Sequence, residues 1–219
     1  MIKLVVFDWN GVLIADAKAN SETVSYILTS YGRKPIDLRR YREIFEIPAR
    51  NIYLKQGFSE KEVNREAKHI QEMFHTHYEP RIAHVRTRSG TRGLLEWLSK
   101  REIECVILSN HNIKGVKSQL RRLQIDKYFS HVLANDKYEA MKRQNKLEKL
   151  TIFLKANRFK KGEILIIGDS TEEIDAGKGL GIRTVAITGG YISTRRLREG
   201  KPDHLIHNLL SVIDIIKKV

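Results

Sequence analysis

The stretch LVVFDWNGVL, residues 4–13, carries an acid at the edge of an apolar run, and Asn10 stands two places after Asp8. A second carboxylate at position 10 would let such a site move protons, whereas a neutral amide neither takes nor delivers one at ordinary pH. Two more polar residues follow apolar runs in the same way: Ser109 closes ECVILS, and Asp169 follows EILIIG. Each has an ordinary alternative. An Asp after a strand can form a turn or cap a helix, Ser109 can cap a helix beginning near Ile113, and Asp169 can cap another.

What would bring these residues together is the pattern around them. The runs KLVVF, ECVILS, HVLA, EILIIG and RTVAI are short, β-branched and near-continuously apolar, and the later ones alternate with helical spacing. Leu147, Leu150 and Leu154 mark one helical face; Leu209, Val212, Ile213 and Ile216 mark another. Such alternation predicts an α/β fold with an open, doubly wound, Rossmann-like parallel sheet covered on both sides. Ligands in such sheets bind beyond the carboxyl ends of the strands, where Asp8, Ser109 and Asp169 would converge.

Residues 15–84 interrupt the alternation, because they hold no good strand. SEKEV reads as a capping box, with Ser59 and Glu62 three apart, and Val63, Ala67, Ile70 and Phe74 continue a helical stripe. The expected organisation is therefore a core domain of residues 1–14 and 85–219, with a helical domain of residues 15–84 inserted after the first strand.

A chain of 219 residues with 41% apolar content can bury a sizeable core. Its apolar runs fall far short of the ~20 residues that span a bilayer, so no membrane partner is expected. No leader pattern follows Met1, and a cytoplasmic location is the expectation. Cys105, in IECVILS, reads as an inert buried thiol, and a single cysteine allows no disulfide within the chain. Forty Lys and Arg against 26 Asp and Glu give a net charge of +14, which attracts polyanions from nucleic acid to small phosphorylated metabolites. The basic residues are spread along the whole chain. Lys114, Lys117 and Arg121 face away from Val116, Leu120 and Leu123, as on a solvated helix, and nucleic acid is not the expected partner.

FDWNGVL, ILSN and IIGDSTEEIDAGKGLG, in that order, resemble the first, second and fourth motifs of the haloacid dehalogenase superfamily of phosphotransferases. With the closing TVAITGGY, the resemblance covers nearly the whole chain and points to the phosphoglycolate-phosphatase-like branch, which has a helical cap after the first motif. It implies a magnesium-dependent hydrolase of small phosphorylated substrates, in which Asp8 forms an aspartyl phosphate and so divides a difficult displacement into two easier ones. Asp8 and Asp169 would offer carboxylate oxygens to magnesium, and Asn10 its backbone carbonyl. Glu173 stands where the family commonly has a second aspartate, and would ligate a metal-bound water or orient a lysine. Ser109, Asn110 and that lysine would meet the phosphoryl oxygens, and Gly11 would let the loop approach them.

The lysine itself is one of Lys142, Lys146 and Lys149 in KRQNKLEK, with Lys146 favoured at a helix start. Glu172 and Asp175 read as surface acids near a helix N-terminus. In the inserted segment, Arg50 could bind a carboxylate or second phosphate, while Trp9 is expected to pack rather than touch substrate. In family phosphatases the second acid of the first motif protonates the leaving alcohol and activates water, and Asn10 cannot. The expectation is a slowed phosphatase. A phosphonatase-like enzyme, with Lys55 forming a Schiff base, is one alternative; a non-catalytic phosphate-ligand or nucleic-acid binding protein is another.

Overall fold

β1 (Leu4–Phe7) and β4 (Ile164–Gly168) bury every residue they contain. Strands with no polar face must be covered on both sides, and these lie side by side in the middle of the sheet. The computed structural model describes residues 1–136 and 146–219. Its sheet has six parallel strands in the order β3-β2-β1-β4-β5-β6, the others being β2 (Glu104–Asn112), β3 (His131–Asn135), β5 (Arg183–Ile187) and β6 (His204–Ile206). The chain runs outward from β1 to β3, then returns to the other side of β1 and runs outward again to β6. The strand order thus reverses between β1 and β4, the crevice where such sheets bind ligands.

Alternation along β1 divides the core in two. Val5 and Phe7 pack on one face with Leu94, Leu95 and Leu98 of α5 (Thr91–Ser99) and Val116 and Leu120 of α6 (Ile113–Arg122). Leu4 and Val6 pack on the other with Leu150 and Phe153 of α7 (Lys146–Ala156) and Ala176 of α8 (Thr171–Leu180). Two short helices, α9 (Thr194–Glu199) and α10 (Ser211–Lys217), complete the C-terminal part.

Four helices lie between β1 and α5. These are α1 (Ala17–Ser30), α2 (Leu38–Ile44), α3 (Arg50–Leu54) and α4 (Glu60–Ile82), whose Val24, Ile27, Tyr41, Ile52 and Ile70 share an apolar cluster with Ile174 of α8, Ala186 of β5 and Leu197 of α9. Both halves of the Ser59–Glu62 capping box form at the start of α4. The outgoing and returning segments touch where Ile14 pairs antiparallel with Thr87 and the Ala15 amide donates to the Arg86 carbonyl at 3.2 Å.

Several local expectations are corrected. α6 is capped by Asn112, whose side chain accepts from the amides of Lys114 and Gly115, and α8 by Ser170, so Ser109 and Asp169 are not caps. Of the leucine stripe on α7, Leu150 is buried and Leu154 packs half-buried against the same cluster, while Leu147 is exposed; Lys146 and Phe153 complete the buried side. Leu209 precedes α10, whose buried residues are Val212, Ile215 and Ile216. Trp9 is fully buried in the cluster on the Phe7 face of the sheet.

Because Leu165 is fully buried in β4 and Ile152 on α7 is 63% exposed, truncating them should have effects of very different size. Leu165→Ala should lower stability by ~2–5 kcal/mol through the cavity it leaves, and Ile152→Ala by well under ~1 kcal/mol, as read from urea denaturation midpoints.

Candidate active site

The sheet register brings the acids together. Phe7 lies opposite Ile107 on β2 and Ile167 on β4, so Asp8, Ser109 and Asp169 all leave the same edge within two residues of these partners. The Asp8 amide continues the ladder to the Ile167 carbonyl at 2.9 Å. From the first turn of α8, Glu173 reaches back, its carboxylate accepting from the amide and hydroxyl of Ser170. One carboxylate oxygen from each of Asp8, Asp169 and Glu173 lies within 4.8 Å of the others, and all three residues are buried.

Lys146 is the counter-charge. Its Nζ donates to Asp8 Oδ1 at 2.8 Å and to Glu173, and lies 3.6 Å from Glu172. Burial works against its charge, but Asp8, Glu173 and Glu172 outweigh burial and hold the ammonium well above the usual lysine value. Lys149 points elsewhere. It donates to the Ser109 carbonyl at 2.6 Å and the Asn135 side chain at 2.7 Å, and burial, with Lys146 nearby, brings it down to about 8. Lys142 lies outside the described residues. Glu172 is not a surface acid: Asn110 donates to it at 2.7 Å, and burial raises its pKa. Asp175 is exposed.

Among the described residues, three carboxylates against one ammonium leave the cluster short of positive charge. Burial pushes Asp8 up to about 7 despite Lys146, with Glu173 adding to the rise; burial, then Asp8 and Glu173, raise Asp169 well above the ordinary range. Oxygen donors with surplus negative charge are what a hard divalent cation requires, so the residues fit magnesium. Close packing fixes the arrangement. The Tyr191 amide donates to Asp169 at 2.6 Å, and a Cβ on Gly190 or on Gly11, whose φ is +72°, would overlap the Asp169 carboxylate.

Asn10 is tied to a residue that sequence reasoning passed over. Its Nδ2 donates to Asp16 Oδ2 at 2.8 Å and to the Tyr78 hydroxyl at 3.0 Å. Asp16, fully buried, also accepts from the Gly11 amide at 2.7 Å and from the hydroxyls of Tyr78 at 2.5 Å and Tyr191 at 2.6 Å. Standing just before α1, Asp16 has the look of a helix cap in sequence, yet its side chain makes no cap bond.

Beside this cluster, a cavity of about 100 Å³ lies between the strand ends and the four inserted helices, with Asn10, Asn110 and Tyr191 on its core side. Arg50 does not reach it: its guanidinium pairs with Glu60 and lies 3.2 Å from Asn64 Oδ1. Lys55 pairs with Glu46 and does not line it either. Cys105 is buried, and burial pushes its thiol up to about 12, well away from reactivity at neutral pH. Among the described residues no helix is long and apolar enough to cross a membrane.

Residues 5–187 match a family model described as haloacid dehalogenase-like hydrolase. The chain belongs to that family. It is 27% identical to a phosphoglycolate phosphatase of Pseudomonas fluorescens, the match covering 96% of this chain and 78% of the relative, and 21% identical to one of Synechococcus elongatus over 100% and 99%. A haloacid dehalogenase-like family hydrolase from Streptococcus pneumoniae has the same fold, with a TM-score of 0.82 at 19% identity over 98% of each chain.

In this hydrolase, burial makes Asp8 and Asp169 hold protons more tightly folded than unfolded, so their contribution favours the fold below the ordinary carboxylate range and is lost as pH rises, for Asp8 through about 7. Magnesium bound to the ionised acids would oppose that loss. Thermal denaturation should therefore show magnesium raising the melting temperature at about pH 8 and scarcely at about pH 5. Asp169→Asn should shrink that difference. An equal effect of magnesium at both pH values would contradict the assignment.

Proposed function

We propose that the chain is a magnesium-dependent phosphatase acting on a small phosphorylated metabolite through an aspartyl phosphate on Asp8, with residues 15–84 as a helical cap over a core of residues 1–14 and 85–219. The observation that carries this reading is the Asp8–Lys146–Glu173 arrangement beside Asp169, at adjacent strand ends of a haloacid dehalogenase-like hydrolase.

Asp8, Asp169 and Glu173, with the Asn10 backbone carbonyl, would hold the metal. When bound, magnesium offsets the repulsion between carboxylate and phosphate and draws charge from the transferring oxygens. The chain's own residues do the rest. Lys146 fixes one Asp8 oxygen and leaves the other for attack on phosphorus, and the Ser109 hydroxyl and Asn110 stand at the neighbouring strand end to meet the phosphoryl oxygens. Burial excludes bulk water from the nucleophile, which strengthens each of these electrostatic contacts.

Asn10 changes the proton traffic. Its Nδ2 is committed to Asp16 and Tyr78, which leaves the amide oxygen as its remaining polar atom. That oxygen can accept a hydrogen bond and cannot give one. Asp16 spends both carboxylate oxygens on four hydrogen bonds within the protein and does not line the cavity, so it is not placed to serve a leaving alcohol. Esters with good leaving groups should therefore turn over faster than alkyl phosphates, with an initial burst as the aspartyl phosphate accumulates.

Asp8→Asn should abolish hydrolysis of p-nitrophenyl phosphate while leaving the circular dichroism spectrum unchanged; activity at the unaltered level would remove Asp8 as nucleophile. Asn10→Asp would set a carboxyl against Asp16 at hydrogen-bond distance, where the pair would retain one proton at neutral pH. Turnover of alkyl phosphates should rise ~10–10³-fold in steady-state assays, and that of aryl phosphates less. A neutral or harmful effect on both classes would show that Asn10 does not stand in for a lost acid.

A further inference from the structure

The cavity beside Asn10 has walls that say what can fill it. From the inserted helices and their connections it is lined by Val24, Phe45, Ile52, Tyr53, Ile70 and Phe74, and among the described residues no Lys, Arg, Asp or Glu contributes to it. Its polar members are mostly committed to the protein itself. Asn20 donates to the Tyr191 hydroxyl at 3.0 Å and accepts from the Tyr41 hydroxyl at 2.8 Å; the hydroxyls of Tyr78 and Tyr191 donate to Asp16; and Asn110 donates to Glu172. His111, also in the lining, is kept towards its neutral form by burial. The cations that sequence alone would send there, Arg50 and Lys55, are held by Glu60 and Glu46.

A carboxylate entering this space would lose its water and find no Lys or Arg among the described residues of the lining, which is unfavourable, whereas a hydrocarbon group would replace water on aromatic and branched aliphatic walls. The cavity measures about 100 Å³. An engineered apolar cavity of about 150 Å³ accommodates benzene, so the space suits a branched alkyl group or a single ring that projects partly towards the phosphate end.

We propose that the substrate of this site is the phosphate ester of an uncharged, largely apolar alcohol, a branched alkyl or arylalkyl monophosphate, and not a phosphorylated carboxylic acid such as the relatives named phosphoglycolate phosphatase take by name. The inference rests on the phosphatase reading for the position of the phosphate, and on the cavity alone for the chemistry of the remainder. Asn10, Asn110 and Tyr191 connect the two parts: Asn10 follows Asp8 by two residues, Asn110 follows Ser109, and the Tyr191 amide holds Asp169.

Two measurements separate the inference from the reading beneath it. The first is calorimetric titration of the full chain, with magnesium present, using two phosphonates that cannot be hydrolysed: benzylphosphonate and phosphonoacetate. Benzylphosphonate should bind at least ~10-fold tighter and with a negative heat-capacity change, the mark of apolar burial. Equal or tighter binding of phosphonoacetate would overturn the proposal, whatever the enzyme hydrolyses. Phe74→Arg places a cation in the cavity wall and should reverse the order; Ala49→Arg, at another lining position, serves the same purpose if the first variant fails to fold.

The second measurement compares kcat/KM for benzyl phosphate and phosphoglycolate, whose leaving groups are both primary alkoxides. The ratio should favour benzyl phosphate by on the order of 10²-fold, and a ratio favouring phosphoglycolate would overturn the substrate class. Tight benzylphosphonate binding without hydrolysis of any ester would instead uphold the cavity's preference and remove the phosphatase reading.

Discussion

Three carboxylates held in a buried space around a single ammonium is the constraint on which the rest of this structure depends. Asp8, Asp169 and Glu173 repel one another, and Lys146, the sheet ladder, Ser170 and the Tyr191 amide hold them in place. Such an arrangement needs a rigid frame, because a small displacement of any acid changes the field felt by the others. The frame is the pair of central strands, every residue of them buried, whose ends deliver Asp8 and Asp169 side by side. Backbone approach is as demanding as charge. Gly168 leaves room for the Glu173 side chain, and Gly11 and Gly190 leave room for Asp169, so neighbouring side chains are absent where the acids need volume.

Charge and shape are divided between the two parts of the site. Among the described residues, the acids and the lysine of the site come from the strand ends and the helices α7 and α8 behind them, and the inserted helices present an uncharged wall to the cavity. Charges buried on the core side can be balanced by a metal, a phosphate and one lysine; a charge on the helical side would have nothing opposite it. The surplus of basic residues does not alter this balance. Lys114, Lys117 and Arg121 are exposed on α6, turned outward by the burial of Val116, Leu120 and Leu123. Their field reaches solvent and can draw an anionic ester towards the molecule without entering the cavity.

The sequence made the sheet legible because five of its strands are strong apolar runs, while β6, three residues long, carries too short a pattern to register. Asp8, Ser109 and Asp169 were legible for the same reason: each terminates a run. Helix starts were harder. Asn112 and Ser170, one to three places beyond the expected caps, make the bonds, since several polar residues cluster at each strand end and only backbone geometry selects among them. On α7, Leu150 and Leu154 face the core as their spacing suggests, and only Leu147 lies outside it, beside a lysine that three acids bury. Glu172 and Arg50 exchange their expected positions for a related reason. A partner distant in sequence, Asn110, draws Glu172 inward, and a partner on the same group of helices, Glu60, keeps Arg50 out. Such pairings have no periodicity, so no pattern along the chain announces them.

Asp16 connects the two ends of the inserted segment. It stands where the chain leaves the core, Tyr78 lies near the end of α4 where the chain returns, and Tyr191 belongs to the core itself; both hydroxyls end on the same carboxylate oxygen. Separating the outgoing and returning crossings by more than the length of a hydrogen bond would leave that carboxylate short of donors until water reached it. The two crossings are therefore tied together through one carboxylate oxygen. Because Asn10 donates to the same oxygen, the joint also sets the orientation of the amide that faces the cavity.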